Sequence, residues 1–104
     1  MGKVLKVSIV LPAKNESAAI GYTISQIQQL KLAHEIIVIN DGSTDQTKQV
    51  AENAGTKVVT HPYSKGNGAA IKTGARAATG EVIIFMDADG QHDPNDIPKL
   101  LEKI

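Results

Sequence analysis

Four apolar, β-branched runs punctuate the chain: Val7 to Leu11, Ile36 to Ile39, Lys57 to Thr60 and Val82 to Met86. Three are nearly continuous rather than alternating, as expected of strands buried on both faces of a parallel sheet. The third, KVVT, is shorter and more polar, which suits an edge. Helical periodicity fills the intervals. Ile20, Ile24 and Ile27 recur at i, i+4 and i+7, with Leu30 a turn later. Thr47, Val50, Ala51 and Ala54 form a weaker stripe that Gly55 ends. Ile71, Gly74, Ala75 and Ala78 form a stripe of mostly small residues, suited to a helix lying close against a sheet. Ile97, Leu100, Leu101 and Ile104 make the last, behind Asp93 as N-cap and Pro94 at the first helical position. The order β-α-β-α-β-α-β-α predicts one α/β domain over residues 1–104, without repeat, linker or low-complexity tract.

Such a beginning is like one mononucleotide-binding half of a doubly wound sheet, with strand order 3-2-1-4 and ligands at the carboxyl ends of strands 1, 2 and 4. The run Val82 to Met86 then lies at an edge although its composition suits a central strand. Each run gives way to polar residues: Pro12-Ala13-Lys14-Asn15-Glu16, Asn40-Asp41-Gly42-Ser43-Thr44-Asp45, His61 through Gly68, and Asp87-Ala88-Asp89. Singly, several have local explanations. Asn15 or Glu16 could begin the first helix, Asp41-Gly42-Ser43 could be a turn, and Ser43 or Thr44 could cap the second helix with Asp45 favouring its dipole.

Asp87 and Asp89 resist that treatment. In an extended segment, residues two apart point to the same side, about 6.6 Å apart. Two carboxylates so placed repel unless a cation lies near. A hard ion such as Mg²⁺ or Mn²⁺ takes one or two carboxylates together with substrate phosphates. Asp89-Gly90 as a simple turn accounts for the second aspartate but not the first. The loop Lys65-Gly66-Asn67-Gly68 precedes a helix and could face an anion, with Lys65 to neutralise a diphosphate. It matches neither a P-loop nor G-x-G-x-x-G, because position 71 is isoleucine. His34 is expected to be exposed, His61 ends the third run, and only His92 is near the proposed cation.

Composition narrows the classes. The chain is 41% apolar and 21% charged, with Lys plus Arg and Asp plus Glu balanced at 11 each. No net field recruits nucleic acid or an anionic membrane. The absence of cysteine excludes a disulfide scaffold, a thiol nucleophile and Cys-ligated zinc. No apolar run approaches the roughly 20 residues that span a bilayer. The N-terminal apolar stretch is broken by Lys6 and lacks a small-residue cleavage site, so the compartment expected is the cytoplasm, or the cytoplasmic face of a membrane in a longer parent.

VSIVLPAKNE, IIVINDGSTDQT and KGNGAAIKTGARAATGEVIIFMDADGQHDP together resemble family 2 glycosyltransferases of GT-A fold, closest to the dolichyl- or polyprenyl-phosphate sugar transferases. The resemblance implies a Rossmann-like nucleotide-sugar-binding half and inverting sugar transfer, to a polyprenyl phosphate or other glycan or lipid acceptor. It implies that Pro12, Lys14 and Glu16 line the nucleotide pocket, that Ile39 and Asp41 hold the base, and that Asp87, Ala88 and Asp89 hold ribose and diphosphate. Asp87 and Asp89, with Gln91 close by, would hold Mg²⁺ or Mn²⁺. A carboxylate at Asp41 accepts from the one N–H of uracil or the two of guanine, so a UDP-sugar and a GDP-sugar both remain open. Lys14 departs from the aromatic residue many relatives carry, leaving an ion pair to Glu16 or a phosphate as its contact. Family members also continue with an acceptor-binding half that supplies a general base, so the chain is expected to be a truncated donor-binding half with little or no transfer of its own. A different class also fits the residues: a non-catalytic nucleotide-binding module that dimerises through the exposed edge strand. A sugar-phosphate nucleotidyltransferase is disfavoured, since no glycine-rich, arginine-bearing loop follows the first run.

Overall fold

The computed structural model describes residues 5–90 and 93–102. Gln91, His92 and Ile104, each singled out in the sequence, lie outside them. Strands β1 (Val7–Ala13), β2 (Ala33–Asp41), β3 (Lys57–His61) and β4 (Val82–Phe85) alternate with helices α1 (Ile20–Gln29), α2 (Thr47–Asn53) and α3 (Asn67–Ala77). A 3₁₀ turn, Pro94–Asp96, leads into α4 (Ile97–Leu101). All pairings are parallel and the sheet order is β3-β2-β1-β4, as the pattern predicts.

The central strands are buried on both faces, which explains their unbroken apolar runs. Val7, Ile9, Leu11, Ile36 and Val38 pack with Ile20, Ile24 and Ile27 of α1 and Ala51 of α2. Val10, Ile37 and Ile39 pack on the other face with Ala70 of α3. Of the predicted stripe, Gly74 and Ala78 face the sheet, joined by Ala70 and Ala77, whereas Ile71 lies outside that cluster and Ala75 is exposed. Gly74 sets that rotation: a Cβ there would lie 2.3 Å from Val10 Cγ1, so only glycine lets the helix come this close.

Helix ends follow local rules in part. Gly55 N–H reaches Glu52 O at 3.0 Å and Thr56 N–H reaches Ala51 O at 3.4 Å, the paired bonds that finish α2. Asp93 accepts from Asn95 N–H at 2.9 Å with Pro94 at the first position, as expected. Neither Ser43 nor Thr44 caps α2; Asp45 does that work, accepting from Thr47 N–H at 2.9 Å. The α1 helix begins at Ile20, not at Asn15 or Glu16.

The sheet opens where β1 and β4 part. Met86 N–H bonds to Val10 O at 3.0 Å, the last bond between them, while β1 continues alongside β2 to Ala13. Within a strand, alternate residues turn their polar groups to the same side, so Pro12 faces the side β4 has left. Its missing N–H therefore costs no ladder bond, which is how proline sits in an interior strand. β4 is an edge strand of the sheet, and its Ile83 and Phe85, on the face that carries Val10, remain 36% and 39% exposed.

Candidate functional site

The opening between β1 and β4 is a cleft of about 330 Å³ at the carboxyl end of the sheet. It is the topological switch point, where open α/β sheets take their ligands. Pro12, Lys14 and Glu16 line one side, Asp41 the floor, Gly66, Asn67 and Ala70 another side, and Asp87, Ala88 and Asp89 the last. Seven of the residues expected from sequence are thus brought together: Pro12, Lys14, Glu16, Asp41, Asp87, Ala88 and Asp89.

Two are placed elsewhere. Ile39 is fully buried and packs against Ala70, one layer beneath the cleft, so its side chain does not line it. The Lys65 ammonium lies over the Tyr63 ring, 5.4 Å from its centroid, and is absent from the cleft lining. Lys65 contributes its backbone instead. Lys14 and Glu16 both reach the cleft, but no ion pair joins them among the described residues.

Two loops are stitched into one rim. Asn15, at φ 54°, accepts from Thr44 N–H at 2.8 Å, and its own N–H donates to Ser43 Oγ at 2.9 Å. Glu16 N–H donates to Thr47 Oγ1 at 2.9 Å, and Ser17 N–H to Asp45 at 3.2 Å. The acidic side chain of Glu16 is thereby held over the cleft. Burial, then the charges of Asp89, Asp45 and Asp87, push its carboxyl above the ordinary value.

That mutual repulsion bears on the cation. Asp87 is exposed, Asp89 half-buried, and Ala88 between them is buried, so the turn anchors on its alanine and presents both acids to one cleft. Among the described residues no group of three or more His, Asp or Glu side chains is close enough to hold a metal alone. Two hard oxygen donors with the remaining positions open fit an ion that also takes phosphate oxygens and water, as Mg²⁺ does.

Asp41 is held by three hydrogen bonds. Its Oδ1 accepts from His61 Nδ1 at 2.8 Å and Lys65 N–H at 2.8 Å, and its Oδ2 from Gly66 N–H at 3.0 Å. Burial alone would raise its pKa; the bonds from Lys65, His61 and Gly66 outweigh it and hold the carboxyl below its ordinary value. Gly42 makes the arrangement possible. At φ 71° it lets the β3–α3 loop cross directly over it, where a Cβ would lie 2.6 Å from Ser64 N. His34 is exposed, as expected, whereas His61 is buried at 6% exposure and bonded on both nitrogens, the second to Thr73 Oγ1 at 2.9 Å. Sequence reasoning passed over that role. The available signal was its position: His61 ends β3 directly opposite Asp41 at the end of β2.

A parallel 3-2-1-4 sheet with an acidic crevice at its switch point defines a Rossmann-like domain of the GT-A glycosyltransferase type. The chain belongs to glycosyl transferase family 2, whose family model matches residues 8–104. It is 37% identical over 106 residues to the dolichol-phosphate mannosyltransferase of Pyrococcus furiosus, covering 96% of this chain and 30% of that protein. Identity to the glucosyl-3-phosphoglycerate synthase of Mycolicibacterium smegmatis is 40% over 105 residues, covering 91% of this chain and 35% of that one. The crystal structure of glucosyl-3-phosphoglycerate synthase from Mycobacterium tuberculosis with Mn²⁺, uridine diphosphate and glucosyl-3-phosphoglycerate matches with TM-score 0.83 at 34% identity, over 94% of this chain and 39% of that one. The chain thus spans roughly a third of the length of these relatives. Among the described residues no helix is long and apolar enough to cross a membrane.

Proposed function

We propose that the cleft binds the diphosphate of a GDP- or UDP-sugar together with Mn²⁺ or Mg²⁺, as the donor half of an inverting glycosyltransferase. The observation that carries this reading is the convergence of Asp87 and Asp89 with Asp41 and Glu16 around one opening at the ends of β1, β2 and β4. Asp87 and Asp89 would hold the ion, Asp41 would take the base, and Pro12 and Ala88 would close apolar surface against the nucleoside. When bound, the ion would neutralise charge on the departing nucleoside diphosphate. The Mycobacterium tuberculosis synthase crystallised with Mn²⁺ and UDP-glucose supports both donor class and metal. The acceptor we propose is a polyprenyl phosphate or another glycan or lipid acceptor.

Calorimetric titration with UDP, GDP and their sugars, with and without Mn²⁺, tests the reading. Metal-dependent binding that disappears in the Asp87→Ala, Asp89→Ala double variant is expected. No metal-dependent heat with any of these nucleotides would refute it. A second reading rests on the apolar edge of β4: Ile83 and Phe85, left partly exposed, would pair with a second copy to form a dimer.

A further inference from the structure

We infer that His61 is a specificity-determining positioning residue: by binding Asp41 Oδ1 from beneath the cleft, it leaves the carboxylate able to take one N–H from a base, selecting a uracil nucleotide over a guanine one. The inference rests on the reading of the cleft as a nucleotide site, and on Asp41 as the group that meets the base.

A carboxylate offers about four lone-pair sites, two on each oxygen. Protein donors fill three of them: His61 and Lys65 N–H on Oδ1, and Gly66 N–H on Oδ2. His61 must be a donor here whatever its charge, because Asp41 is an acceptor only and a bare ring nitrogen at 2.8 Å would repel it. The second ring nitrogen is bonded to Thr73 Oγ1, which fixes the plane of the imidazole. Oδ1 is therefore the inward oxygen, tied to a histidine that is 6% exposed, and the carboxylate is prevented from turning. One acceptor position remains, on Oδ2.

Uracil brings a single N–H between two carbonyls and needs one such position. Guanine brings adjacent N1–H and N2–H donors, which a carboxylate satisfies only by offering both oxygens. Against this Asp41, one guanine donor would be desolvated and left unpaired, a penalty corresponding to about tenfold or more in affinity. Without the histidine an acceptor position opens on Oδ1 while Lys65 and Gly66 N–H still hold the carboxylate, so both oxygens can accept from a base and the discrimination relaxes.

The test compares the dissociation constants of UDP and GDP in Mn²⁺, by calorimetry on the full chain and on variants. The unaltered chain is expected to favour UDP by about tenfold. In His61→Phe the UDP-to-GDP ratio should fall to about threefold or less, whereas His61→Asn, which keeps a donor near the Nδ1 position, should retain it. A purely structural role would weaken both nucleotides alike and leave the ratio unmoved. An unchanged ratio in His61→Phe, with UDP still bound, overturns the role of His61 and leaves the nucleotide site standing. Equal or tighter binding of GDP by the unaltered chain overturns the inference without reference to any variant. Binding of neither nucleotide removes the site and this inference together. Should His61→Phe not fold, Thr73→Val frees the ring from below and is read by the same ratio.

Discussion

Glu35 offers the clearest test of how the domain is held together away from its cleft. It accepts from Ser8 Oγ at 2.5 Å, from Thr79 N–H at 2.6 Å and from Thr79 Oγ1 at 2.8 Å, and it pairs with Lys57 Nζ at 2.8 Å. The Glu35 side chain is 8% exposed and that of Lys57 60% exposed. Glu35→Gln keeps the shape, removes the charge and sets an amide donor against a cluster of donors. Hydrogen bonds to a charged group are worth about 1.5–3 kcal/mol each when water cannot replace them. Here that condition holds fully only for Ser8, because Thr79 is exposed and the ion pair to a solvated lysine contributes about 1 kcal/mol or less. The expected loss is about 2–3 kcal/mol, a large share of the roughly 5–15 kcal/mol that such domains possess. Burial by itself would push the Glu35 carboxyl up, but the bonds from Lys57, Ser8 and Thr79 outweigh it and hold the carboxyl well below its ordinary 4.5. A carboxylate depressed on folding stabilises fully above its unfolded value, and the contribution fades as pH falls towards the folded one. Urea unfolding followed by circular dichroism should therefore show the full gap between the two proteins at neutral pH. That gap should narrow by about 2 kcal/mol on moving to about pH 3. A gap below about 0.5 kcal/mol at neutral pH, or one indifferent to pH, refutes the reasoning.

Gly74→Ala forces α3 away from Val10, so a loss of about 1–3 kcal/mol is expected in spite of the better helix former; adding Val10→Ala should recover part of it in a urea double-mutant cycle. Asn15→Ala removes the acceptor that holds Thr44 N–H and places alanine at φ 54°; UDP binding should weaken together with stability, and unchanged calorimetry would show that the stitched rim does not shape the cleft. Phe85→Lys should convert a β4-paired dimer to monomer, and sedimentation showing a monomer before the substitution at high micromolar concentration would remove the second reading.

The core was legible because burial on both faces writes itself as unbroken β-branched runs, and the strand order followed from the likeness to one mononucleotide-binding half of a doubly wound sheet. Strand ends were less so. Pro12, Ala13, Asn40 and Asp41 belong to strands although none extends an apolar run, since partner strands rather than hydrophobicity keep them in register. Asn15 read locally as a helix start, but its partners lie 28 and 29 residues away, beyond any local rule. Lys65 announced itself by its charge, whereas the fold uses its N–H and stacks the side chain on Tyr63. His61 carried no motif at all. Only the β2–β3 register makes it the support beneath Asp41.

Strand β2 carries a carboxylate near each of its ends, and both grip the same helix: Asp41 seizes Gly66 just ahead of α3, and Glu35 seizes Thr79 just behind it. A beam bolted at both ends neither slides nor pivots. The wall that Gly66, Asn67 and Ala70 form is accordingly set during folding, so an arriving molecule meets a surface whose ordering entropy has already been met. Accommodation to ligands of different size then belongs to the facing wall, which follows β4, a strand that among the described residues pairs on one side only.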